Sequence, residues 1–379
     1  MQKNVFIFFL SSIILGLLPL QVFSQPTHRE KAYRMHTRLT GVPPSVDILT
    51  QMELLLQIDR YEDAAKLAME HPFFYGVVLK NWVKVWSNED ETNRVELNDF
   101  VATIIGMVRD DIPFDSVLYG DHLYVVENNN VSANYSSRDN NHYSEAERNH
   151  INLKQSLVYR RQSDMNNIQD VAGVLTTRAS GEAFFSAGTN RRVTRFAFMN
   201  FLCRDFEALH DVSIPDIYVR RDVERDPGGD SRTYRNSCVG CHAGQDALGG
   251  AFAYFDFEDG ELQYNPGEVA TKVNLNNLFN PGHVVESDFW ENLWARGVNS
   301  SLGWRGDQSG HGAGELGRLL ARSQAFSQCM ATQVFELVCL KRPTSSQKDE
   351  LVQIFEHEGR YSMQNLIASA SRLCFRGDN

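Results

Sequence analysis

The chain predicts a mainly α protein, large and mostly helical, with long loops between its helices. Three observations carry that expectation. Apolar residues recur at helical spacing, as in Ile48, Met52 and Leu55 and again in Leu97, Val101, Ile104 and Ile105. Thr344-Ser345-Ser346-Gln347, directly after Pro343, is a capping box that opens a C-terminal helix. Only residues 252–264, with an Asp259-Gly260 turn signal, read as a β-hairpin.

In chain order, residues 25–46 read as an irregular or extended entry. Helices follow at 47–58, 61–69, 74–86 and 95–108, and Pro113 closes the series. Residues 114–159 hold Asn128-Asn129-Asn130 and Asn140-Asn141 among many Ser, Asp and Tyr, which predicts a long polar loop region with short local structure. Loops of that length are uncommon unless they bind or cover something. A helix is expected over 189–210, with Phe196, Phe198, Met199, Phe201 and Leu202, and Pro215 marks its exit. Pro227-Gly228-Gly229-Asp230 is a turn cluster. Residues 274–304 are loop-like around a short helix near 289–294, 314–340 forms one long helix or two, and 345–357 and 362–373 close the chain.

Residues 5–18 are almost wholly apolar, follow one charge at Lys3 and end at Pro19; Val22-Phe23-Ser24 then offers a small-x-small cleavage site. Charged, apolar and cleavage regions in that order predict a secretory signal peptide at 1–24. The rival, an uncleaved anchor, needs a longer apolar run. Export places the mature chain in a bacterial periplasm or outside the cell, with no transmembrane segment left after cleavage. The net charge of −11 sets nucleic acid aside as a partner.

The six cysteines include one pattern with chemical content, Cys238-Val239-Gly240-Cys241-His242. C-x-x-C-H is the attachment signature of a c-type haem: two thiols bond to the porphyrin vinyl groups and the next residue offers an imidazole to iron. Thiols three apart sit about one helical turn apart on one face, so both reach one porphyrin edge. The reading is one covalent haem c, held by Cys238, Cys241 and His242, with His242 the proximal iron ligand. A redox pair wants a βαβ context, and half a zinc site wants a second ligand pair; neither is visible. Cys203, Cys329, Cys339 and Cys374 remain, and in an oxidising compartment an even remainder suggests two disulfides. The preferred pairing is Cys203–Cys329 with Cys339–Cys374; buried free thiols are the alternative.

No sixth iron ligand stands out. His283 in Asn280-Pro281-Gly282-His283, Met199 and Met330 are the distal candidates, with His311 in a Gly-rich loop behind them. A vacant or water-bound position is equally open. Arg220, Arg221, Arg225, Arg232 and Arg235 precede the motif, where they could pair with haem propionates. Gly249-Gly250 follows it, where small residues would let backbone approach the porphyrin.

The run from Cys238 to His242, then Asp246, Leu248-Gly249, Ala251-Phe252 and Phe255-Asp256, resembles the pattern of planctomycete-type large cytochrome-c-like domains. Upstream, Gly173-Val174-Leu175-Thr176, Ser180 and Gly188-Thr189-Asn190-Arg191-Arg192 are similar to the segment before the haem motif in those proteins. Residues 316–329 and 334–342, ending near Ser371, are similar to their C-terminal helical module. The resemblance spans about residues 95–375 and implies a secreted, mostly helical, haem-binding protein. The chain departs from the pattern at Ala247, where the relatives carry proline, and lacks their large extra domains.

These readings divide the chain into a signal peptide (1–24), an N-terminal helical region (25–113), a loop-rich and helical region (114–235), a cytochrome-c-like haem segment (236–313) and a C-terminal helical module (314–379). The function expected is electron transfer to or from a redox partner protein, with no residue assigned a catalytic role. Two alternatives stand beside it. One is a haem enzyme of peroxidase or small-gas type with an open axial site; the other is an envelope scaffold or sensor that carries haem. No H-E-x-x-H, G-x-S-x-G, phosphate loop or dinucleotide fingerprint is present.

Overall fold

Helices dominate the described backbone, and strands occur there as three separate two-stranded antiparallel ladders. The computed structural model describes residues 26–275 and 278–376, so the expected signal segment lies outside the described residues. Among the described residues no helix is long and apolar enough to cross a membrane.

The helix Tyr61–Met69 begins and ends where the periodicity predicts, and Val46–Gln57 lies within one residue of it. The entry is different: 28–40 is a helix, not extended chain. Thr27 and Glu30 close a capping box, and Ala32, Met35, His36, Leu39 and Thr40 form the buried stripe. Three of those five are Ala, His and Thr, so the stripe carries little apolar signal although its spacing is helical. The helix Asp99–Arg109 starts later than expected because Asn98 caps it, its side chain accepting from the Val101 N–H. Within the polar 114–159 region, Leu123–Val126 pairs with Leu157–Arg160, and Asn141–Arg148 is a helix. This stretch packs against Asp99–Arg109.

The helix Arg191–Leu202 stops short of the expected 210 because Cys203 adopts a left-handed backbone, φ 53°. There Cys203 is bonded to Cys329, with 5.3 Å between their Cα atoms. The second expected disulfide is not made. Cys339 and Cys374 keep their thiols. They hydrogen-bond to one another, and that bond, with burial, pushes the Cys339 thiol far up. The hairpin Phe255–Glu258 with Glu261–Tyr264 turns at Asp259 and Gly260, both at positive φ, as its turn signal requires. The short helix expected near 289–294 is a strand, Phe289–Glu291, paired with Ser309–His311. Three residues are too few for a period to show, and the partner strand is remote in sequence.

The 314–340 run is two helices, Gly312–Arg322 and Gln324–Cys339, split where Ser323 caps the second. Gln324–Cys339 packs against Met363–Arg376, Ser345–Gln353 and Arg191–Leu202. One continuous apolar core runs from Ala32 to Phe375. It includes fully buried Phe74, Phe100, Phe184, Phe198 and Phe201. Each such side chain contributes about 1.5–3 kcal/mol through burial.

Candidate functional site

Cys238 ends a π-helical turn, Tyr234–Cys238, that leads into the helix Val239–Leu248. Wide turns of that kind recur at functional sites. At about 100° per residue, the order around the helix is Cys241, Cys238, His242, Asp246. Both thiols are free and half-exposed. The Cys241 thiol donates to the Phe206 carbonyl at 3.4 Å. Burial pushes that thiol up, and the charges of Glu207 and Asp205 add to the effect. A redox or metal-binding thiolate needs the opposite, a basic setting that lowers it.

The far side of the helix is packed too closely for side chains. A Cβ on residue 244 would fall 2.2 Å from the Trp294 ring, and one on residue 240 would fall 2.5 Å from the His210 ring. His210 itself holds the Ser237 carbonyl at 3.1 Å. Gly249 and Gly250 make room for protein: their Cβ positions meet the Arg220 guanidinium at 2.9 Å and the Phe289 carbonyl oxygen at 2.0 Å. Their small size serves packing here.

His242 is turned inward by one corner. Its Nδ1 is buried, makes no hydrogen bond, and lies 3.7 Å from Asp246 Oδ2. The side chain as a whole is 29% exposed. Asp246 is fully buried and clamped by Arg191, whose Nε and second Nη reach its two oxygens at 2.5 and 2.9 Å. The Arg220 N–H donates to the same carboxylate at 3.1 Å. Arg191 also bridges to Asp222. Two arginines and two aspartates thus balance charge in one buried cluster. Burial alone would raise the Asp246 carboxyl. The Arg191 charge and hydrogen bonds, with smaller pulls from His242 and Arg220, overturn that and hold it far below the usual range. Arg220 is buried and holds the Thr189 carbonyl at 2.6 Å. Its Nε and one Nη have no partner, and burial pushes its guanidinium down to about 10.

Beside Asp246 opens a cleft of about 700 Å³, bordered by Tyr218, Arg221, His283, Glu286, Phe289 and His311. His283 meets the Tyr218 ring edge-on at 5.3 Å. Burial and the Arg220 charge push His283 below its ordinary value, which favours the neutral, ligating imidazole. His311 holds Asp288 at 2.8 Å.

The structure therefore brings Cys238, Cys241 and His242 onto one exposed turn. It brings His283 to the cleft that shares Asp246 with that turn. Met330 is fully buried within Gln324–Cys339, and Met199 is half-buried on Arg191–Leu202, packed against the core; neither borders the cleft. Of the arginines, Arg221 lines the cleft and donates to the Gly282 carbonyl. Arg225 holds the Val219 and Val223 carbonyls and stacks over Tyr234 at 4.7 Å, and Arg232 pairs with Asp230. The sequence reading missed Asp222, Trp294, His210 and the role of Arg191. Only the Arg191–Asp246 charge pairing has any sequence signal, and it spans too many residues to read.

Among the described residues, no group of three or more His, Cys, Asp or Glu is gathered to hold a metal ion. A protein-only zinc site would need such a group. The residues do fit a thioether-linked haem: two reduced, accessible thiols one turn apart, and an imidazole whose orphaned Nδ1 already faces an anionic partner. No family model matches the chain, and neither does any curated protein or solved structure.

Proposed function

We propose that this chain is an exported monohaem c-type cytochrome that transfers electrons. The single observation that carries the reading is the turn holding Cys238, Cys241 and His242: both thiols free and half-exposed, and the imidazole partly exposed beside them. Bound there, haem c supplies a one-electron iron couple. Cys238 and Cys241 would hold the porphyrin edge, and His242 would ligate the iron. Arg191 keeps Asp246 ionised behind it. The motif's resemblance to planctomycete-type cytochrome-c-like domains is in keeping with this, as is the acidic setting of Cys241.

The cleft beside Asp246 favours one second reading, a haem enzyme with an open axial site, because it puts Tyr218, Arg221, His283 and His311 around a space near the motif. The two differ in iron coordination. Electron transfer wants a saturated iron, whereas enzyme chemistry wants a position that small molecules can take.

The test is production in a host able to mature cytochromes. Mass spectrometry should find the polypeptide plus one haem, and Cys238→Ala with Cys241→Ala should lose the covalent pyridine-haem signal. A mass equal to bare polypeptide overturns the reading. Rapid carbon monoxide binding to the reduced protein would replace electron transfer with the enzyme alternative.

A further inference from the structure

The geometry points to Asp246 as the positioning residue for His242: its buried carboxylate is built to accept the Nδ1–H of the proximal imidazole. It would thereby fix the ring's tautomer and orientation and make it a stronger electron donor to iron. This rests on the haem reading above and specifies how that site is tuned.

Four observations carry it. His242 and Asp246 are four apart on one helix, so their side chains share a face. Nδ1 is buried and without a partner, a costly state for a polar atom unless a ligand reorganises it. Asp246 is the acceptor 3.7 Å away, so a small ring rotation, such as iron capture at Nε2 would impose, brings the pair to bonding distance. Finally, Asp246 is rigid. Arg191 grips both its oxygens, the Arg220 N–H adds a third contact, and Asp222 holds Arg191 from the other side. Arg191 and the Arg220 N–H take three of the carboxylate's roughly four acceptor sites, two on Oδ2 and one on Oδ1, so one site, on Oδ1, is left for the imidazole. Outer partners of this kind orient ligating histidines and raise their basicity, and stronger donation stabilises the oxidised metal.

A purely structural Asp246 would serve the ion cluster alone, and a matched pair of variants separates the two roles. Asp246→Asn keeps the side chain's shape but removes the anion facing His242. Asp222→Asn weakens the same cluster through Arg191 without touching His242. Both are made as full-length, haem-bearing protein, and reduction potential is read by spectroelectrochemistry. Asp246→Asn should shift the potential upward, while Asp222→Asn leaves it near wild type. Equal shifts in the two variants, or none in Asp246→Asn, overturn the assignment.

If Asp246→Asn fails to fold, the wild-type protein decides. Proton NMR of the cyanide-bound ferric form should show a hyperfine-shifted His242 Nδ1–H that exchanges slowly with solvent. A rapidly exchanging or absent signal overturns the assignment. A wild-type chain without covalent haem fails at the earlier step and takes this proposal with it, which the mass measurement reveals first.

Discussion

Alanine at residue 244 and alanine at residue 76 should move stability in opposite directions. Both glycines lie in helical segments at ordinary φ, so intrinsic propensity favours alanine at each by about 1 kcal/mol. Space decides the difference. A Cβ on residue 76 meets nothing within 4 Å. At 244 it would fall 2.2 Å from the Trp294 ring, where ordinary contact begins at 3.4 Å, so the ring must retreat by about 1 Å. Trp294 is fully buried and has nowhere to go. Phe198 and Phe206 pack on it with ring centres 5.4 and 5.3 Å away, and its carbonyl is held by the Trp304 indole at 3.0 Å. Overpacking of that kind costs about 1–3 kcal/mol, and a displaced, fully buried indole belongs at the upper end. After the propensity gain, Gly244→Ala should destabilise by about 1–2 kcal/mol, and Gly76→Ala should stabilise by about 0.5–1 kcal/mol. Equilibrium urea unfolding followed by tryptophan fluorescence reads both. The reasoning fails if Gly244→Ala is neutral or stabilising, because the packing of Trp294 against the motif helix would then not be as tight as described.

Three further outcomes are expected. Removing the Cys203–Cys329 bond with paired alanines releases a loop of 126 residues and should cost about 3–5 kcal/mol by the chain-entropy account, read as a drop in the urea midpoint; an unchanged midpoint refutes the bond. Arg191→Met leaves buried Asp246 and partly buried Asp222 without their shared cation and should cost about 3–5 kcal/mol, while a loss under 1 kcal/mol in the same unfolding assay would contradict a mutually dependent cluster. Stability should be level from pH 8 to 7 and fall on acidification, measured as Tm by calorimetry. Burial lowers His36 and His122, so the stability they contribute is present above their unfolded value of about 6.5 and is lost as pH falls through the folded values. Burial opposes ionisation of Glu147, but Lys80, Lys84 and the Leu97 N–H hold it down to about 2, so its share is present above about 4.5 and lost as pH falls toward 2. Asp99, which burial raises, opposes the carboxylate part of the slope. A Tm that rises from pH 7 to pH 5 would show the histidine sign to be wrong.

What the residues announced in advance was whatever depends on neighbours in sequence. The capping box at Thr344 and Gln347 is made as read, because cap and partner are three apart. The Asp259-Gly260 turn forms because positive φ is a local demand. Counting thiols left three pairings open, and Cys203–Cys329 was preferred only together with Cys339–Cys374, which is not made. What stayed hidden depends on chain segments meeting at a distance. Asp246 looks like any aspartate at the end of a helix, and its character comes from Arg191 and Arg220, 55 and 26 residues away. The strand Phe289–Glu291 exists only because Ser309–His311 lies beside it. The helix Thr27 caps was hidden by its own polarity: burying His36 and Thr40 works because Thr40 Oγ1 donates to the His36 carbonyl and His36 Nδ1 meets the Val42 carbonyl.

The Cys203–Cys329 crosslink encircles the motif, since residues 238–242 lie inside the ring it closes. Assembly therefore runs against a clock. During synthesis Cys203 emerges long before its proper mate, and the next sulfurs to follow it are Cys238 and Cys241. Under the proposed haem reading, a premature bridge to either in an oxidising environment would consume a thiol that the cofactor needs and leave Cys329 stranded. Forming Cys203–Cys329 requires those two sulfurs to stay reduced, or on the proposed reading to be spent on porphyrin, until residue 329 arrives. Yield of the finished molecule should thus respond to the redox poise of the host and, if the proposed reading holds, to the supply of haem as well.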